Sequence, residues 1–460
     1  MQQESTVKAY ETKTIDSLLY NRKPAVIESI IERRQRRYLP RGARSGLTAG
    51  QQVEFEITHD MFNDLKTAYL GFSLASTDTD GKICNAGDII DILEIFYNDV
   101  LVEKISNCGE WSNSFLAHSA HPEWFKREGR ALLGISNQCV GGDATATGSI
   151  YLQYGDRALA SNESYVVPIA LSSGFFRSKY FLPIVGNKLR VVITLAPNKK
   201  VLSFRTTAAT DAYTVNDLFL SMEDIVVQSQ YRAKVLEAMQ GEGFRIPFTS
   251  YQTNELSLAA STTQNLVLNA NLSNAISLFM LHDPQVYTSN GAGTGKLTDN
   301  AGNNNLNVCW DQSFPLSGFG SLMVNCGSRQ FGPSDGFKTY SELYTSTEQC
   351  INYLCDLKGS GYIDYATFKA GYTKAIAIQS TNPGVTAGTY GLCLLGVNLE
   401  KSVENDDATI NNGISSQDGF SQFEIKLTTS DSLASSSKLL TNIVHKRALV
   451  FQQSGISCEF

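Results

Sequence analysis

The chain has 460 residues and a net charge of −7, with 18% charged, 42% hydrophobic and 10% aromatic side chains. Charge below the roughly 25% of ordinary soluble domains suits a protein with much loop and with large surfaces covered by neighbours, and the apolar content is ample for two cores. Three classes are disfavoured: no apolar run approaches the length of a membrane span, Met1–Lys8 offers no apolar stretch of a secretory signal, and the nine cysteines are odd in number, scattered and without a C-x-x-C pair. Free thiols in a reducing compartment are the expectation, with neither a disulfide framework nor a zinc site.

Residues 1–49 read as a basic arm. The first fifty residues hold ten Lys or Arg against five Asp or Glu, a net of +5, which leaves −12 for the remainder. Pro24 can open a helix at its first position. Val26, Ile27, Ile30 and Ile31 would then share one stripe, and Arg33, Arg34, Arg36 and Arg37 would fall at the C-terminal end, where the helix dipole favours cations. Arg41 and Arg44 extend the patch past Pro40. Such a helix, of about 15 residues, is marginal alone in water, so the stripe needs a partner. The arginines are either a solvated helix end or a face that meets something anionic or a neighbouring subunit.

From residue 50 the chain says the same thing twice. Gln52-Val-Glu-Phe-Glu-Ile57, a polar stretch and Ala68–Leu74 correspond to Gln264–Asn269, another polar stretch and Ile276–Leu281. Leu189–Leu195 corresponds to Phe423–Leu427, and Leu218–Gln230 to Leu439–Gln453. A duplication of this length means two domains of one fold, not a solenoid with a period of roughly 20–50 residues. The matched segments are short, rich in Val, Ile, Leu, Phe and Tyr, and several alternate apolar with polar, as half-buried strands do. Clusters such as Thr77–Gly81, Asn290–Gly295, Asn303–Asn305 and Asn411–Gly413 supply turns. Regular βα alternation is missing, which argues against a parallel sheet. The expected architecture is all-β: one sandwich over 50–230, a connector over 231–243 whose helix Tyr231–Gln240 stops at Gly241 and Gly243, and a second sandwich over 244–460 with long loop insertions.

Motifs that suggest chemistry fail on their context. Gly332-Pro-Ser334-Asp-Gly336 fits G-x-S-x-G with His445 downstream, but a nucleophile elbow needs a buried strand before it and a helix after it in an α/β fold. Asp356–Thr367 is spaced like a calcium loop, yet Lys358 and Thr367 stand where ligating carboxylates belong. Asn290–Lys296 ends like a phosphate-binding loop but lacks its first glycine and its Ser/Thr. His118 and His121 lie near Glu110 with no convergent third ligand singled out by spacing. No catalytic residue, metal site or cofactor is expected.

Two tandem sandwich units, the short helical connector and the amphipathic N-terminal segment resemble the double jelly-roll major capsid proteins of double-stranded DNA viruses, in particular the virophage and polinton-like group. Phe181–Leu195 and the closing Ile443–Phe451 carry the likeness, which is one of organisation and strand texture over nearly the whole chain. The resemblance implies two tandem jelly rolls of eight strands each, B to I. It implies a non-enzymatic shell subunit whose homotrimers form pseudo-hexameric capsomers of an icosahedral virion. Loops at about 104–165 and 285–375 would rise as outer towers. Its partners would be neighbouring capsomers, penton and minor capsid proteins. The arm (Val26, Ile27, Ile30, Ile31, Arg33, Arg34, Arg36, Arg37, Arg41, Arg44) would face the interior, encapsidated DNA or an inner membrane, or contact another subunit. Two rivals are a carbohydrate-binding or adhesive sandwich, which would usually carry a signal peptide and paired cysteines, and a β-sandwich hydrolase, which should show a convergent acid pair or triad.

Overall fold

The computed structural model describes residues 30–76, 82–83, 85–120, 124, 128–133, 157–158, 163–184, 186–203, 212–241, 243–269, 274–283, 297–298, 304–306, 319–354, 368, 394–400, 413–415, 422–429, 438–452 and 455–459. In chain order the first unit contributes β1 (Ile30–Tyr38), β2 (Gln52–Ile57), β3 (Phe62–Ser76), β4 (Ile90–Tyr97), β5 (Val100–Ser106), helix α1 (Cys108–Ser119), β6 (Glu163–Pro168), β7 (Leu189–Leu195) and β8 (Tyr213–Val227). Helix α2 (Ser229–Gln240) connects it to the second unit. That unit comprises β9 (Phe244–Ser257), β10 (Thr263–Asn269), β11 (Ala275–Asp283), β12 (Phe319–Cys326), β13 (Arg329–Phe331), α3 (Tyr340–Leu354), β14 (Leu395–Asn398), β15 (Gln422–Thr429), β16 (Lys438–Gln452) and a closing strand β17 (Gly455–Glu459).

The pairing order is the same in both halves. One sheet of the first unit runs β1-β8-β3-β6 and its partner β2-β7-β4-β5; the second unit repeats this as β9-β16-β11-β14 and β10-β15-β12-β13. Every pair in these sheets is antiparallel. Strands one, eight, three and six against two, seven, four and five is the jelly-roll order, and it occurs twice. The duplicated segments of the sequence fall on β2 and β10, β3 and β11, β7 and β15, and β8 and β16. Alternation sets their faces: Val53, Phe55 and Ile57 point into the core with 3%, 0% and 0% exposure, while Gln52, Glu54 and Glu56 look outward.

Two expectations need correction. Residues 30–38 form a strand, not the C-terminal half of a helix, and β1 pairs along its length with β8. Non-local pairing outweighs a local helical stripe here, because each turn of helix would forgo the ladder to β8 and the ion pairs described below. Residues 30–38 of the basic arm are thus the first strand of the first roll. The segment 285–375 is likewise not one insertion, since β12 and β13 lie inside it and complete the second unit's four-stranded sheet β10-β15-β12-β13. Leu322, Val324 and Cys326 alternate inward along β12 and are fully buried.

The connector stops where glycine permits. Gly241 N–H reaches Glu237 O and Gly243 N–H reaches Ala238 O at 2.8 Å each. Gly243 has φ +77°, and a Cβ there would collide with the Phe451 carbonyl.

Candidate assembly surface

The two rolls share one hydrophobic core, and the seam between them runs from β5 and α1 of the first roll to β9 of the second. Phe248 of β9 stands edge-on to Phe175, with ring centroids 5.0 Å apart. Phe115 of α1 stacks on Tyr251 and meets Phe279 edge-on, and Tyr97 meets Phe451 edge-on. Such aromatic pairs contribute about 0.5–1.5 kcal/mol each beyond their burial. Backbone approaches backbone at Gly174, where any Cβ would overlap the Thr249 carbonyl.

Polar groups fix the register of the seam. Ser106 N–H donates to Thr253 Oγ1 at 2.9 Å, Arg177 to Tyr251 Oη at 3.0 Å, and Arg447 to Val102 O at 2.6 Å. Lys200 sits among Asp91 (3.0 Å), Glu110 (2.8 Å) and Asn107 (2.7 Å). Asn107 passes the chain across to Glu255, which pairs with Lys438. Burial alone would discharge the Lys200 ammonium; Glu110 and Asp91 outweigh it and hold its pKa above the ordinary lysine range. Glu103, fully buried beside the seam, shows the opposite balance. Burial pushes its carboxyl pKa up, against hydrogen bonds from Ser173 Oγ and Phe175 N–H.

The opposite edge of the first roll is β1, whose residues Ile31–Arg37 are all exposed. Its arginines are spoken for within the chain. Arg33 pairs with Asp64 and Glu223 at 2.6 Å each, Arg36 with Asp224 at 3.1 Å, and Arg34 with Glu32 at 2.5 Å. Arg37 lies over the Phe219 ring, and Arg41 bridges Glu54 and Glu56. Beneath Arg36, the buried Asp224 carboxylate also accepts from Tyr38 Oη (2.5 Å) and Asn63 Nδ2 (2.8 Å) and lies 3.2 Å from His59 Nε2. Burial raises its pKa, but the contacts with His59 and Tyr38 and the Arg36 charge bring it below the ordinary value. Of the apolar stripe, Ile30 packs with Phe62, Ile225 and α2, Ile31 is 63% exposed, and Val26 and Ile27 lie outside the described residues. Arg44 makes no contact that bears on this cluster. Sequence reasoning missed Asp64, Asp224 and His59: Asp64 lies 31 residues from Arg33, Asp224 lies 161 and 186 residues from Asn63 and Tyr38, and no local pattern announces these contacts.

The motifs with a chemical look are dispersed. Ser334 is exposed in the turn after β13, whereas His445 is buried in β16 of the other sheet, pushed by burial to a pKa of about 3 and so neutral. His118 is buried 3.6 Å from Glu348, in a contact between α1 and α3. His121, the calcium-like segment 356–367 and the segment 290–296 lie outside the described residues. Among the described residues no three His, Cys, Asp or Glu side chains converge as metal ligands would. Cys108, Cys326, Cys350 and Cys458 are free thiols, the buried Cys108 and Cys350 pushed by burial to a pKa of about 12.

A fused pair of jelly rolls defines the fold class. No family model matches the sequence, and no curated protein matches it. Solved structures do. The crystal structure of PBCV-1 VP54, fitted into a reconstruction of the virophage Sputnik, matches with a TM-score of 0.57 at 10% identity, over 96% of this chain and 99% of that one. The Faustovirus major capsid protein matches at 0.55 and 9% identity, over 94% and 92%. The mavirus major capsid protein matches at 0.50 and 9% identity, over 96% and 92%. This chain has the double jelly-roll fold of those major capsid proteins, over almost its whole length.

Proposed function

We propose that the chain is a structural virion protein, the major capsid protein of an icosahedral shell, and that three copies form a pseudo-hexagonal capsomer. The observation that carries this reading is the fused seam: two rolls of identical strand order are packed against each other across one shared hydrophobic core. Three such bodies around a threefold axis present six similar lobes, an outline that tiles a hexagonal lattice. The low charge of the sequence suits a protein whose flanks are covered by neighbours. No enzymatic role is assigned. Neighbouring capsomers, penton and minor capsid proteins are the proposed partners. The N-terminal residues, including Val26 and Ile27, are proposed to reach the shell interior or an adjacent subunit, with encapsidated DNA or an inner membrane as the other possible contacts.

Light scattering coupled to size exclusion, followed by negative-stain imaging, tests the reading. Trimers with a hexagonal outline are expected; a concentration-independent monomer would overturn it.

A further inference from the structure

The exposed apolar side chains gather at one end of the first roll. Among the described residues seven large hydrophobics are exposed, and four of them surround one small cluster: Ile31 (63%), Tyr180 (51%), Tyr231 (47%) and Phe181 (38%). That cluster is Phe62 and Ile225, packed by Ile30 and by Val235 and Leu236 of α2, and it is separate from the core that the rolls share. Register brings its members together. Ile30 faces Val227 where β1 begins and β8 ends, and Phe62, at the start of β3, faces Ile225 on one side and Pro183 on the other. Alternation puts Phe181 on the same face as Pro183. Tyr231 lies against Phe62 from α2, with ring centroids 6.5 Å apart. At this end the N-terminal residues enter the roll and the connector leaves it.

The charges around this patch leave a positive balance. Asp60 is paired with Arg232, Asp64 and Glu223 with Arg33, Glu32 with Arg34, and Asp99 with Lys188. Lys179, beside Tyr180, and Lys234, one turn of helix from Tyr231, are exposed and form no ion pair among the described residues. Glu237 is also exposed, but it lies six residues beyond Tyr231 and turns away from that face of α2. Exposed rings beside unpaired lysines suit the boundary of a lipid layer: the rings sit at headgroup level, and each ammonium reaches a phosphate on its flexible stem. A purely apolar partner would leave the lysines unused, and a nucleic acid would leave Ile31 and Phe181 in water. We propose that this end of the first roll docks on an anionic lipid surface. The inference rests on the capsid reading above, with the N-terminal end turned to the shell interior, and it assigns the lipid contact to the roll itself and not to the arm. Each lysine close to such a surface strengthens binding about fivefold, and the three patches of one capsomer would bind together.

Flotation of the purified full-length chain with lipid vesicles tests this. The protein should float with vesicles of phosphatidylcholine and phosphatidylserine, float less with phosphatidylcholine alone, and be released by salt. Phe181→Ser/Tyr231→Ser should abolish flotation, and Lys179→Gln/Lys234→Gln should weaken it about 25-fold, as two fivefold losses. All four side chains are exposed, so both double variants should remain folded, which circular dichroism checks. Deletion of residues 1–29 should leave vesicle binding as it is. Flotation that survives both double variants, or that disappears with residues 1–29, would overturn the assignment to the roll. A wild-type trimer that does not float would overturn the lipid contact and leave the capsomer reading standing; a monomer that does not float would overturn both.

Discussion

Phe175 and Phe248 stand edge to face across the seam, their planes at 79° and their centroids 5.0 Å apart, and each belongs to a different roll. Both are nearly or fully buried in the core that the rolls share. The rolls therefore should not unfold as separate beads. Phe248→Ala is expected to cost about 3–5 kcal/mol, the range for truncating a buried ring. A double-mutant cycle with Phe175→Ala should return a coupling of about 0.5–1.5 kcal/mol. Urea titration followed by far-ultraviolet circular dichroism reads both; strictly additive losses would mean that the rings do not support one another.

Gly174 tests the same seam at the backbone. It has no positive φ to protect, so Gly174→Ala is harmless by local conformation alone. Its harm comes entirely from the Thr249 carbonyl that its Cβ would strike. The expected loss is about 1–3 kcal/mol, the usual cost of forcing atoms into a packed interface. An unchanged midpoint of unfolding would show that the rolls can separate locally without penalty.

The fold was legible in the sequence where strands alternate and where the two halves repeat each other. Val53, Phe55 and Ile57 announce β2 by their spacing, and Leu189–Leu195 and Phe423–Leu427 fall on equivalent strands of the two rolls. The first strand was not legible. Ile30-Ile-Glu-Arg-Arg-Gln-Arg-Arg-Tyr38 has strong helix formers and an apolar spacing that suits a helix, and its reasons for being a strand lie in β8, nearly two hundred residues on. The repeat held a clue, since a strand precedes Gln264 in the second roll and its counterpart should precede Gln52 in the first. The assembly surface was less legible still. The arginines stood out as a run of charge, but Asp64, Glu223 and Asp224, which bind them, are scattered in sequence and converge only through sheet pairing.

Glu103 makes a prediction about pH. Burial raises its folded-state pKa above the unfolded value, so the folded state binds its proton more tightly. That contribution to stability is fully present below the unfolded pKa, near 4.3 for a glutamate, and is lost as pH rises through the folded pKa. Glu103→Gln keeps the shape and stays neutral throughout. The variant should match the wild type at the acid end and gain on it as pH rises toward neutrality. Thermal melts across a pH series measure the difference. A gap that shrinks with rising pH would show that Glu103 is held ionised by its surroundings.

The last prediction separates the arm from the strand. Deletion of residues 1–29 leaves every described strand of the first roll in place, whereas deletion of residues 1–40 removes β1. Without β1, one edge of β8 loses its ladder, and Asp224 loses Tyr38 and Arg36 while keeping Asn63 and His59. A buried carboxylate stripped of two partners costs about 1–3 kcal/mol for each hydrogen-bonding group left unsatisfied. The shorter deletion should therefore melt like the full chain and still form trimers, with defects confined to closing shells or holding DNA in a salt-dependent way. The longer one should melt lower and, with the first roll's sheet incomplete, form trimers poorly. Two truncations that behave alike, in circular dichroism and in light scattering, would show that β1 contributes neither to the roll nor to assembly.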